Sequence, residues 1–130
     1  MILQRAAAGG KPPKYAAIKR IALGFPGTQE IVDRHGHWFN VGSKTFALNG
    51  MPNGRWIFKL PQHQQMMLFD ARPQTFTPMR AGRLVWSYVQ VENLDAAELK
   101  DLLTAAWRMV ATKKLQAQYG QPSTSPKQTR

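Results

Sequence analysis

The stretch from His35 to Leu60, HGHWFNVGSKTFALNGMPNGRWIFKL, constrains this chain more than any other. It holds three short runs of alternating side chains separated by turn formers. In WFNV, Phe39 and Val41 point one way and Trp38 and Asn40 the other. Gly42-Ser43 is a two-residue connection with glycine first, which suits a tight hairpin. KTFALN then returns, with Phe46 and Leu48 expected on one face. NGMPNG places two Asn-Gly pairs around a proline and predicts a longer, kinked tip. In RWIFKL, Trp56, Phe58 and Leu60 share one face, and Arg55, Ile57 and Lys59 the other. Such alternation belongs to an antiparallel sheet covered on one side. The rest of the chain must therefore supply the cover.

Residues 15–24, YAAIKRIALG, put Ile18, Ile21 and Ala22 at helical spacing. Phe25-Pro26-Gly27 stops that helix, because proline disfavours helical geometry at the residue before it. TQEIVDRHG then leads into the first strand. After Pro61, QHQQMMLFDAR predicts a short helix with Met66, Met67 and Phe69 available to pack. PQTFTPM reads as loop, and RAGRLVWSYVQV as a fourth strand, bent or split in two. There Val85, Val89 and Val91 fall on one face, and Leu84, Trp86 and Tyr88 on the other. Asp95 and Glu98 form an acidic capping box before the stripe Leu99, Leu102, Leu103, Ala106 and Val110. That helix is expected to end near Lys113-Lys114, where cations suit its negative end. Residues 1–13 and 120–130 are tails by composition, which leaves one domain over 14–119. The reading is α+β: two layers, an antiparallel sheet of about five strands, and helices on one face.

Eighteen Lys and Arg against seven Asp and Glu give a net charge of +11. Arg5, Lys11, Lys14, Lys127 and Arg130 sit in the tails. Without them 13 basic residues still face the same 7 acids, so the domain is basic in its own right. Such a field attracts nucleic acid, anionic lipid or acidic proteins without choosing among them. Cysteine is absent, which excludes a disulfide framework and a thiol nucleophile and suits a reducing, cytoplasmic setting. No apolar run approaches the ~18 residues of a membrane-spanning helix.

Little here can do chemistry. His35-x-His37 would start a metal site, with His63, Glu30 or Asp33 as a third ligand, but nothing in the spacing requires one. The bland alternative is a pair of solvated histidines at a hairpin edge. The acids are scattered, and no phosphate-cradling glycine loop or Gly-x-Ser-x-Gly appears. Met66, Met67 and Met109 read as core filler. Neither catalysis nor a cofactor is expected. The basic set remains: Arg34, Lys44, Arg55, Lys59, Arg72, Arg80, Arg83, Lys113 and Lys114. Cations at hairpin ends can reach phosphates, and Trp38, Trp86 and Tyr88 can stack on bases.

Taken in order, Ala22 through Gly27 with Glu30, Phe39 through Ala47, Ile57 through Leu60, Phe76-Thr77-Pro78, the Trp86 strand and Glu98 through Val110 resemble the MmcQ/YjbR family. Ser43 stands where that family usually has a second glycine. The resemblance implies a CyaY-like fold and, through likeness to double-wing domains, DNA binding. The expected partner is DNA, bound with low sequence specificity by a monomer. The expected site is Lys44, Arg55, Lys59, Arg83 and Arg34, with Trp38 and Trp86 as aromatic contacts. The alternative is a protein-interaction or small-ligand module on the same sheet face, with an apolar pocket near Trp86 and Tyr88.

Overall fold

The computed structural model describes residues 15–51, 53–79 and 85–120. Helix α1 (Tyr15–Leu23) leads into strands β1 (Thr28–Asp33), β2 (Gly36–Val41), β3 (Lys44–Gly50) and β4 (Arg55–Lys59). Helix α2 (Gln62–Ala71), strands β5 (Phe76–Pro78) and β6 (Trp86–Val89), and helices α3 (Ala96–Val110) and α4 (Lys113–Gly120) complete the order. The six strands form one antiparallel sheet in the order β1-β2-β3-β4-β6-β5. Strand β6 inserts between β4 and β5, so the hairpin run β1 to β4 is extended by a pair that enters from the far end.

One face of the sheet carries the core. Phe39, Ala47, Trp56, Phe58, Phe76 and Val89 all pack into it. Helix α3 lies across β3 and β4 and buries Leu99, Leu102, Leu103, Ala106, Trp107 and Val110. Its start is fixed by Asp95, whose Oδ1 accepts a hydrogen bond from the Glu98 N–H at 2.8 Å. The Phe-Pro-Gly turn docks on the same helix. The Trp107 indole donates to the Pro26 carbonyl at 3.1 Å, and its ring stacks on Phe25 with centroids 5.3 Å apart. Helix α2 covers the far end, where the Ser87 hydroxyl, fully buried, donates to Gln65.

Several segments depart from the sequence reading, each for a physical reason. TQEIVD is a strand, not a lead-in. It pairs with β2 along its whole length, yet as an edge strand it leaves Ile31 and Val32 exposed and so carries little apolar signal. PQTFTPM was expected to be loop, but Phe76–Pro78 is the opposite edge strand, too short for a period of two to show. Its proline sits where an edge tolerates a missing donor. The sheet thus has six strands. Lys113-Lys114 does not end α3; the chain turns extended at Ala111, and the Thr112 hydroxyl accepts from the Leu115 N–H at 3.1 Å to start α4. Met66 and Met67 are not core filler. The buried stripe of α2 is Gln65, Leu68 and Phe69, at helical spacing, and both methionines lie on the solvent side.

The most consequential difference is a β-bulge. Phe39 pairs with Ala47 and Asn40 with Thr45, so Phe46 is an extra residue on β3. Phe46 and Ala47 are both fully buried, whereas Leu48, expected beside Phe46, pairs with Trp38 on the opposite face. At the other end of β2, Gly36 has φ 147°, and a Cβ there would sit 2.3 Å from the Asn49 carbonyl oxygen. Gly36→Ala is expected to lose about 2 kcal/mol or more of stability in urea unfolding. Gly42→Ala, at φ 62° with open space around it, should lose only about 1 kcal/mol.

Candidate nucleic-acid interface

Register fixes what the uncovered face presents. Ile31 pairs with Trp38, Trp38 with Leu48, Leu48 with Ile57, Ile57 with Tyr88 and Tyr88 with Thr77. One continuous row therefore crosses the whole sheet, and it is apolar or aromatic up to its last member. Ile57 is only 7% exposed although it belongs to no part of the helix-side core.

Cations sit over this row. The Arg55 guanidinium lies 3.6 Å from the centre of the Tyr88 ring, and Lys59 Nζ 5.7 Å from that of Trp86, its cross-strand partner. Both contacts follow from period two: Arg55 and Lys59 flank Ile57 on the same face, as the alternation of RWIFKL requires. Trp38 is held by its indole N–H, which donates to Asp33 Oδ1 at 2.9 Å. That hydrogen bond, with those from the His35 and Gly36 backbone N–H groups, holds the Asp33 carboxyl below its ordinary value. Arg34 lies in the β1–β2 turn beside His35, and Lys44 opens β3 at the other end of the sheet, exposed.

Arg83 and Arg80 lie outside the described residues. Arg72 is paired with Glu98 and donates to the Asn93 carbonyl at 3.2 Å, on the helical side. Lys113 and Lys114 open α4. The acids divide the same way: Asp70, Glu92, Asp95, Glu98 and Asp101 all belong to helical elements or their caps. On the strands only Glu30 and Asp33 occur, and Glu30 turns toward α1.

Glu30 gathers a cluster that the sequence did not announce. Lys19 Nζ is 2.9 Å from Oε1, the Tyr15 hydroxyl donates to Oε2, and His37 Nδ1 is 3.0 Å from the same oxygen. Burial pushes the carboxyl up, but hydrogen bonds from Tyr15, Lys19 and His37 outweigh it and hold the group below its ordinary value. Burial and then the neighbouring Glu30 push the Tyr15 phenol up. His37 is thus a strut between α1 and the sheet, while His35 lies in the turn; among the described residues no three His, Asp or Glu side chains converge as metal ligands. A cavity of about 560 Å³ opens beside the β3–β4 turn, lined by Tyr15, Asn49, Arg55, Trp56, Gln90 and Glu92.

The family model described as YjbR matches residues 23–109. The chain belongs to the YjbR family. The crystal structure of Deinococcus radiodurans protein DR2400, a DUF419-domain protein, is similar in fold. It superposes with a TM-score of 0.65 at 19% identity, over 86% of this chain and 91% of that one. No curated protein matches. Within this YjbR domain the matched range holds every strand and the whole Trp38-Arg55-Lys59-Trp86 face, but begins after Tyr15 and Lys19. The Glu30 cluster is thus partly built from outside the family's matched segment.

Because its folded carboxyl is held low, Glu30 contributes stability above its unfolded value near 4.5, and loses it as pH falls through the lower folded value. The YjbR domain should therefore be more stable than its Glu30→Gln variant at neutral pH in urea unfolding. The difference should shrink steadily below about pH 4.5. A difference that does not change with pH would contradict this account.

Proposed function

We propose that this YjbR domain is a non-enzymatic DNA-binding module of low sequence specificity. It would act as a monomer and contact backbone phosphates of duplex DNA through its uncovered sheet face. One observation carries the reading: Arg55 and Lys59 rest on aromatic rings in the middle of an open face, while five of the seven acids belong to helical elements or their caps. Neither cation makes an ion pair among the described residues. Arg34 and Lys44 extend the positive field toward opposite ends of the sheet. Phosphate contacts of this kind fix a protein on a duplex without reading its sequence.

If about six phosphates are neutralised, log affinity for a mixed-sequence duplex should fall with log salt at a slope near −5. Charge reversal at Arg55 and Lys59 together should weaken binding at least about tenfold and flatten that slope. Lys100→Glu, on the solvent side of helix α3, should leave both nearly unchanged. Absence of binding at low salt, or an equal loss from Lys100→Glu, would defeat the proposal. The cavity at Tyr15 and Trp56 supports a second reading, a small-ligand module. It predicts a ligand whose thermal stabilisation of the domain survives high salt.

A further inference from the structure

We infer that the uncovered face takes unpaired bases, so that single-stranded DNA binds it more tightly than duplex. The inference rests on the DNA-binding reading above and deepens it. Phosphate attraction alone does not explain the composition of the face. Its outward row is Ile31, Trp38, Leu48, Ile57 and Tyr88, with Trp86 beside it, where a solvated sheet face ordinarily carries polar residues. Trp38, Trp86 and Tyr88 are all half-buried, so none of them is given over wholly to the core.

Spacing decides between strand states. Trp86 and Tyr88 are two residues apart on one strand, hence about 6.6 Å apart along it. Bases stacked in a duplex repeat every ~3.4 Å along each strand. Neighbouring bases can meet both rings only if they are unstacked and drawn apart, as in a single strand. Trp38 lies three strands across from Tyr88, about 14 Å away, within reach of the same strand further along. Its ring is already oriented by the hydrogen bond to Asp33. Arg55 and Lys59 lie against two of these three rings, so a phosphate adjoining either of them has a cation at hand. A sheet that exposes aromatic rings beside cations is a general way to hold single strands.

The test titrates the full chain with an oligothymidine of about 15 nucleotides and with a mixed-sequence duplex of equal length, followed by tryptophan fluorescence and anisotropy. The single strand should bind at least about tenfold more tightly at moderate salt, with quenching that the duplex does not produce. Trp86→Ala and Tyr88→Ala should each weaken the single strand about fivefold or more and the duplex by less than about twofold. Trp86→Phe should restore most of the loss, which separates stacking from misfolding. A duplex bound as tightly as the single strand, or single-strand binding indifferent to both alanine variants, would overturn the inference and leave the phosphate reading standing. Failure of both nucleic acids to bind at low salt would overturn both readings.

Discussion

The indole of Trp107 is the fixed point of this fold. It is fully buried, and its N–H finds its partner on the far side of the Phe-Pro-Gly turn, at the Pro26 carbonyl. Phe25 stacks on one side of the ring, and Tyr119 of α4 meets it edge-on with centroids 5.2 Å apart. Three segments are thus joined: the exit of α1, the last turn of α3, and α4. A buried indole left without an acceptor would be penalised by its own desolvation, so the turn and the helix are set together. This arrangement keeps the helices on one side and leaves the other side of the sheet to its own side chains.

That other side is held by strand-to-strand contact alone. Cross-strand pairs of apolar and aromatic residues stabilise a sheet by a few tenths to about 1 kcal/mol each. Five such residues in register therefore matter to a domain of this size. Long cationic side chains lying over the rings shield apolar surface while keeping their charge in water. The bulge after Phe39 makes the row possible. Without the extra residue, the inward Phe46 and the outward Leu48 could not both be satisfied, since a strict period of two would send them the same way.

Where alternation was uninterrupted, the sequence was easy to read. RWIFKL divided into core and open faces as its pattern required, and Asp95 capped the helix it preceded. Legibility failed where the signal was short or shared. Strand β5 is only three residues long, and β1 exposes both of its branched apolar residues. In MMLF four consecutive apolar side chains hid which of them formed the stripe. The bulge cannot be seen from β3 alone, because it is a relation between two strands. For the site, residue types and strand parity were enough to bring Arg55, Lys59, Trp38 and Trp86 to one face. The cluster at Glu30 was not legible, because it depends on where α1 lands. The pairing of Arg72 with Glu98, 26 residues away, has no local pattern to announce it.

Arg55 has one more consequence. A free arginine on a surface samples many rotamers, and capturing an anion freezes them. Resting on Tyr88, its guanidinium has already given up much of that freedom during folding. An incoming phosphate therefore meets a side chain with less disorder left to lose, and the entropic penalty of capture is correspondingly small. The ring beneath Arg55 thus makes the face receptive before any ligand arrives.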